Sequence, residues 1–180
     1  MLCMGRLDEQ KGFDLAIEAL ARLREHHPSV RLAIAGDGPE RNRLATRACA
    51  LGVDDGVDFL GIVDRDGVAT LLRECTVVVM PSRFEGLPLV ALEAAWAGRP
   101  IVAADAPGLS GAVVPEETAL LVPGEDAAAL ANAISGLLGD PRRARVLGRK
   151  ARALAVDRYS LDRCADEYEA VYRGIVGRVC

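Results

Sequence analysis

A chain of 180 residues, 51% hydrophobic and 27% charged, has the length and apolar content of one globular domain with a core able to fold alone. A formal net charge of -4, with acidic and basic residues interspersed, argues against a non-specific nucleic-acid binder. Five cysteines without a C-x-x-C pair and two adjacent histidines, His26 and His27, argue against a zinc site or a disulfide framework; no apolar run approaches the roughly 18 residues of a membrane helix and no signal peptide opens the chain, so the cytoplasm is the expected location.

Apolar or β-branched runs at Leu2 to Met4, Val30 to Ala35, Val57 to Leu60, Thr76 to Met80, Ile101 to Ala104 and Ala119 to Val122 read as strands. The stretches between them are mostly amphipathic and helical. The first, Phe13 to His26, places Phe13, Ile17, Leu20 and Leu23 on one face, with His26 and His27 at its carboxyl end as caps of the helix dipole. Gly36-Asp37-Gly38-Pro39 follows the second strand and opens a helix around Glu40 to Ala50, either as a tight turn with Pro39 at the first helical position or as a direct ligand contact, the turn being at least as strong a reading. It is not a dinucleotide fingerprint, because Arg41 stands where the third glycine would be. Leu89 to Ala97 reads as helix. Asp140 to Val156 and Tyr159 to Val176 read as two terminal helices with no strand between them. The last carries Cys164, Tyr168, Val171, Tyr172 and Ile175 at helical spacing, an apolar stripe that must cover something. Strands apolar on both faces and alternating with helices imply a doubly wound α/β domain over residues 1–180, a parallel sheet of about six strands with helices on both faces.

Ligands of such sheets bind outside the carboxyl ends of the strands, here the loops after Met4, Ala35, Leu60, Met80 and Ala104. The most informative is Pro81-Ser82-Arg83-Phe84-Glu85-Gly86-Leu87-Pro88-Leu89-Val90-Ala91-Leu92-Glu93, in which a buried strand gives way to a helix. Backbone N–H groups at that helix start suit phosphate, while Glu85 and Glu93 can accept hydrogen bonds from hydroxyls. The first loop, Gly5-Arg6-Leu7-Asp8-Glu9-Gln10-Lys11-Gly12, sets a guanidinium and an ammonium five residues apart, a pairing apt for a diphosphate, although loop cations are more often simply solvated. Gly61-Ile62-Val63 offers backbone groups able to hold the edge of a base. Phosphate flanked by hydroxyl acceptors points to a nucleotide-sugar. A reading of Glu85 and Glu93 as the acid/base pair of a glycoside hydrolase ranks lower, since neither has an acidic partner near it in sequence.

Gly5-Arg6 through Lys11-Gly12, Gly36-Asp37-Gly38-Pro39, Phe59-Leu60-Gly61 and Pro81-Ser82 through Glu85-Gly86-Leu87-Pro88 to Glu93-Ala94, in this order, resemble the carboxyl-terminal half of retaining glycosyltransferases of the GT-B fold, family four. Ala94, Gly98, Pro100 and Ile101-Val102 continue the pattern, and the two glutamates with seven residues between them are its most specific part. The resemblance implies a Rossmann-like donor domain that binds a nucleoside-diphosphate sugar of UDP or GDP type, with no other cofactor and no metal. It implies catalytic roles for Arg6, Lys11 and Glu85, the cations on the diphosphate and Glu85 on the sugar hydroxyls. Donor contacts would come from Gly5, Gly36, Gly38, Ile62, Val63, Gly86, Leu87, Pro88 and Leu89, with Glu93 on the ribose. It further implies an amino-terminal acceptor domain or partner subunit outside this chain, isolated turnover that is weak or absent, and a full enzyme compatible with peripheral work at the inner membrane face on a membrane-associated acceptor. Two alternatives are a non-catalytic interaction module of the same fold and a nucleotide-sugar epimerase-like domain.

Overall fold

A computed structural model describes residues 1–86, 88–109 and 111–176. The elements run β1 (Leu2–Met4), α1 (Phe13–Arg24), β2 (Leu32–Ala35), α2 (Arg41–Ala50), β3 (Val57–Gly61), α3 (Arg65–Glu74), β4 (Val78–Met80), α4 (Leu89–Trp96), β5 (Ile101–Ala104), β6 (Leu120–Val122), α5 (Ala127–Gly139), α6 (Pro141–Arg158) and α7 (Leu161–Val176), with short 3-10 turns at Glu9–Lys11 and Asp54–Gly56. The six strands form one parallel sheet in the order β3-β2-β1-β4-β5-β6. This is the doubly wound architecture expected from the sequence.

The strand order fixes where a ligand can enter. The chain builds outward from β1 through β2 to β3, then returns to the other side of β1 for β4, so the connections after β1 and β4 leave the sheet in opposite directions. A crevice opens between two such connections at the carboxyl edge. Strands β1, β2, β4, β5 and β6 are apolar on both faces, whereas the edge strand β3 carries the half-buried Asp58 and the exposed Leu60. Cys3, Ile34, Val79 and Val102 face a core shared with α1, α2 and α5, while Leu2, Met4, Val78, Met80, Ile101 and Ala103 face a second core under α3 and α4. Burial on both sides is what a central parallel strand requires.

Local chemistry sets the helix starts. Asp64 accepts from the Gly67 amide (2.9 Å), Asp126 from the Ala129 amide (2.8 Å), and Asp140 from the Arg142 and Arg143 amides (3.1 and 3.0 Å) with Pro141 directly behind it. Pro39 is not at the first helical position: α2 starts at Arg41 after a Glu40 cap. The expected turn is there, but its residues are held to the first loop, Leu7 N–H on Asp37 O (2.9 Å) and Glu40 N–H on Leu7 O (3.0 Å), so the helix starts later. Likewise β2 begins at Leu32 and not Val30, whose amide closes a turn on His27 O. His26 and His27 follow α1, and His27 Nε2 reaches Ser135 Oγ of α5 (2.9 Å) across a cavity of about 300 Å³ at the amino edge of the sheet, the edge opposite the crevice.

The two terminal helices behave differently. α6 begins against the first core with Ala144 and Leu147, then crosses to α4, where Ala151 and Ala155 meet Ala95. α7 starts at Leu161, because Tyr159 ends α6 and its hydroxyl donates to Gly111 O. The stripe on α7 is not covered by the described residues: Tyr168, Val171, Tyr172 and Ile175 are each more than half exposed, and Cys164 is exposed too. Among the described residues no helix is long and apolar enough to cross a membrane.

The α4–α6 crossing depends on small residues, since a Cβ on Gly148 would overlap the Gly98 carbonyl. Gly148→Ala is therefore expected to push the helices apart and cost roughly 1–3 kcal/mol, read as a lower urea midpoint with an unchanged m-value.

Candidate functional site

The crevice at the carboxyl edge is a cleft of about 350 Å³ lined by Gly5, Arg6, Gly36, Ile62, Val63, Leu89, Val90 and Glu93, with Met4, Ala35, Asp37 and Val68 completing it. Loops separated by up to about half the sequence thus meet at the switch between β1 and β4. Their close approach is specified by glycine. Gly36 adopts a φ of 140° and a Cβ there would overlap the Gly5 carbonyl, so only glycine lets the loops after β1 and β2 lie against one another.

Lys11 sits beside the cleft, with its Cε 3.5 Å from where a Cβ on Gly5 would lie. Its ammonium donates to both oxygens of Glu85, each at 3.0 Å, and Ser82 Oγ donates to Glu85 Oε1 at 2.6 Å. Glu85 is only 5% exposed. A carboxylate so withdrawn from water needs these partners, because an unpaired buried charge costs several kcal/mol. The result is a fixed acceptor and a fixed cation side by side at the site.

Arg6 is on the cleft wall but mostly exposed, and its guanidinium is tied to Asp8 (Nε to Oδ2, 2.7 Å). Asp8 also accepts from the Lys11 amide (3.2 Å), so one carboxylate orients the turn that carries both cations. α4 opens after Pro88, and its first helical bonds run from the Ala91 and Leu92 amides to Pro88 O (2.9 and 3.3 Å). The Leu89 and Val90 amides precede that ladder at the positive end of the helix dipole, where anions are favoured. Glu93, one turn on, lines this cleft and also a second groove between α3 and α4. The residue is exposed overall, yet partial desolvation of its carboxyl between the two grooves raises its pKa above the usual range.

The structure therefore gathers Gly5, Arg6, Gly36, Ile62, Val63, Leu89 and Glu93 around one cleft and sets the Lys11–Glu85 pair next to it. Gly38 does not line the cleft; it packs under Leu7, where a Cβ would overlap the Leu7 carbonyl. Gly86 is exposed and Pro88 buried at the helix start, also outside the cleft wall, and Leu87 lies outside the described residues. Among the described residues no group of three or more His, Cys, Asp or Glu side chains is placed to hold a metal ion.

The sequence model of the glycosyl transferases group 1 matches residues 1–154. The chain belongs to that family. Glycogen synthase of Mycobacterium tuberculosis is 40% identical over 152 residues, 84% of this chain and 37% of that protein. The sucrose-phosphate synthase structure from Thermosynechococcus elongatus superposes with a TM-score of 0.89 at 34% identity, over 98% of this chain and 46% of that one. The structure of Anabaena HepE in complex with UDP, determined also with UDP-glucose, superposes with a TM-score of 0.88 at 26% identity, over 96% of this chain and 48% of that one. The chain thus spans less than half the length of these relatives. The two solved structures have the GT-B fold.

Within this group 1 domain, reasoning from sequence passed over the side chains that brace the site. Ser82 and Arg83 stand in the same motif as Glu85; Ser82 bonds Glu85 itself, whereas the partners of Arg83 are remote, Asp14 at the start of α1 (3.2 Å) and Glu125 before α5 (2.7 Å from Nε). Gly108 was also passed over. It has a φ of 90°, its Cβ would overlap the Glu85 carbonyl, and the neighbouring Pro107 O accepts from the Glu85 amide (3.0 Å). A Gly after a small-residue strand was the only signal available for it.

Burial opposes ionisation of Asp14, but hydrogen bonds and charge from Arg83, with Arg43 adding to them, outweigh it and hold the carboxyl below its usual range. The stabilisation is complete above the ordinary carboxyl pKa near pH 4 and disappears as pH falls through the lower, folded value. Asp14→Asn is expected to lower stability at pH 7 and to flatten the loss of stability below about pH 4, read from denaturant midpoints across pH. Parallel pH curves for the parent and the variant would contradict it.

Proposed function

We propose that this domain binds the donor of a glycosyl transfer, a nucleoside-diphosphate sugar, and that the longer protein of which its relatives are examples holds the acceptor elsewhere. The observation that carries this reading is a cleft at the β1/β4 switch lined by the α4 start and Glu93, with the Lys11–Glu85 pair directly beside it. In this assignment the diphosphate lies between the Arg6 and Lys11 loop and the Leu89 and Val90 amides, the ribose hydroxyls donate to Glu93, and the sugar hydroxyls donate to Glu85. Gly5 and Gly36 let the ligand approach the backbone. Ile62 and Val63 offer a wall and backbone groups to the base. UDP in the HepE structure supports a uridine donor as the first to try.

Glu85 is already saturated by Lys11 and Ser82 in the free site. Donor binding then exchanges partners: sugar hydroxyls take the Glu85 oxygens while the Lys11 ammonium turns toward phosphate. The bond between the anomeric carbon and the diphosphate oxygen breaks as the acceptor hydroxyl oxygen bonds to that carbon and gives its proton to the leaving diphosphate, and Arg6, Lys11 and the helix start meet the negative charge growing there. With the cations supplying the compensation, transfer with retention of configuration needs no metal in this reading. The exposed stripe of α7 is assigned to contact with the acceptor-bearing part of the longer protein. The same stripe would serve a non-catalytic interaction module, which predicts association without nucleotide binding.

Calorimetric titration with UDP, GDP and ADP, each with and without a sugar, decides between these readings. The donor reading expects micromolar to millimolar binding of one base, weakened about tenfold or more by Glu93→Ala through loss of hydrogen bonds to a charged group. Glu85→Gln, which keeps volume and a Ser82 contact, is expected to remove the added affinity of the sugar while leaving the free nucleotide bound. Equal affinities in the parent and both variants would overturn the assignment.

A further inference from the structure

The Lys11–Glu85 pair joins two loops whose sequences are 74 residues apart, and nothing in either loop alone fixes the distance between them. The connection is made by Arg83. Its amide donates to Gln10 O (2.8 Å), its Nη1 to Glu9 O (2.6 Å) and Asp14 Oδ1 (3.2 Å), and its Nη2 to Asp14 Oδ2 (3.2 Å) and Glu125 Oε2 (3.1 Å). Its Nε faces Glu125 Oε1 at 2.7 Å. Gln10 returns the link, its amide nitrogen donating to Phe84 O (2.9 Å). Every nitrogen of the guanidinium is engaged, so Arg83 has no donor group idle for a ligand.

The partners of Arg83 come from three places at the carboxyl edge. Glu9 and Gln10 are the residues that precede Lys11, Asp14 is in the first turn of α1, and Glu125 lies just before α5. Glu125 is itself held at a φ of 58°, a left-handed conformation uncommon for a residue with a side chain and sustained here with its bidentate contact to Arg83. On the far side of Glu85, Pro107 O and Gly108 close the loop in. Glu85 is thus gripped from one side by the loop after β5 and from the other, through Arg83, by the loop after β1.

We propose that Arg83 is a positioning residue of the donor site: without touching the ligand, it sets the spacing between the Lys11 ammonium and the Glu85 carboxylate, and through it the recognition of the donor sugar. This rests on the donor reading above for its functional part and on geometry alone for its structural part. The planar fork is essential, since a lysine keeps the charge but cannot bond Glu9 O, Asp14 and Glu125 together.

The test uses Arg83→Lys, Glu85→Gln and the double variant, with affinities for UDP and UDP-glucose measured by calorimetry and folding checked by thermal unfolding. The expected result is that Arg83→Lys remains folded, binds UDP within about threefold of the parent, and loses about tenfold in the ratio of UDP-glucose to UDP affinity. In the Glu85→Gln background the same change should leave that ratio unaltered, because the effect of Arg83 passes through Glu85. A ratio unchanged by Arg83→Lys alone, or lowered equally in both backgrounds, overturns the proposal. A crystal structure of Arg83→Lys reads the geometry directly: separation of Lys11 Nζ from Glu85 beyond 4 Å is expected, and a retained pair overturns the proposal. If the parent binds neither ligand, the donor reading fails, and the crystal structure still decides the positioning claim by itself.

Discussion

The contact between the Lys11 ammonium and the buried Glu85 carboxylate is the constraint on which the rest of the carboxyl edge depends. A carboxylate at 5% exposure is tolerable only with charge compensation and full hydrogen bonding, and Lys11 and Ser82 supply both. Because the two partners come from loops that leave the sheet on opposite sides of the switch, that one contact ties the loop after β1 to the loop after β4 beside the cleft. The neighbouring interactions all serve to keep it in place. Asp8 shapes the Lys11 turn, Gly36 lets the adjoining loops touch, and Gly108 leaves room for the Glu85 backbone.

The arrangement also sets this edge apart from the rest of the surface, where salt bridges such as Arg31–Asp58 and Arg163–Glu167 join exposed side chains while Glu85 of the Lys11–Glu85 pair is buried. The two cores are apolar and need only shape and volume. The carboxyl edge has to hold charged groups in positions that a polar ligand can later use, so its ion pairs are partners that can be exchanged. Arg83 is the exception, being committed to Glu9, Asp14 and Glu125 throughout. A site with exchangeable pairs set on a fixed bracket can open to a ligand without losing its geometry.

Most of the fold was legible in the sequence, because short two-faced apolar runs separated by helical periods have few other solutions. All six strands, and the helices beginning near Phe13, Arg41 and Leu89, fall within about two residues of where their periodicity puts them. Two starts differed for different reasons: Leu7 of the remote first loop holds the turn before α2, while a local turn bond from the Val30 amide to His27 O delays β2. The candidate cleft was legible through residue types with chemical meaning, Arg6, Lys11, Glu85 and Glu93, and through the order of motifs. Its bracing was not, since Asp14, Arg83 and Glu125 are ordinary surface charges until folding brings them together. The apolar stripe of α7 was legible as a stripe, while its exposure in the folded domain depends on where α6 ends and could not be read from spacing.

The most direct measurement is amide chemical-shift mapping of the isotopically labelled chain during titration with UDP-glucose. The account predicts saturable shifts clustered at Gly5, Arg6, Lys11, Gly36, Glu85, Leu89 and Glu93, with the amino edge around His27 and the α7 stripe unmoved. Saturable shifts confined to that amino-edge cavity or to α7, or no shifts at millimolar ligand, would contradict it.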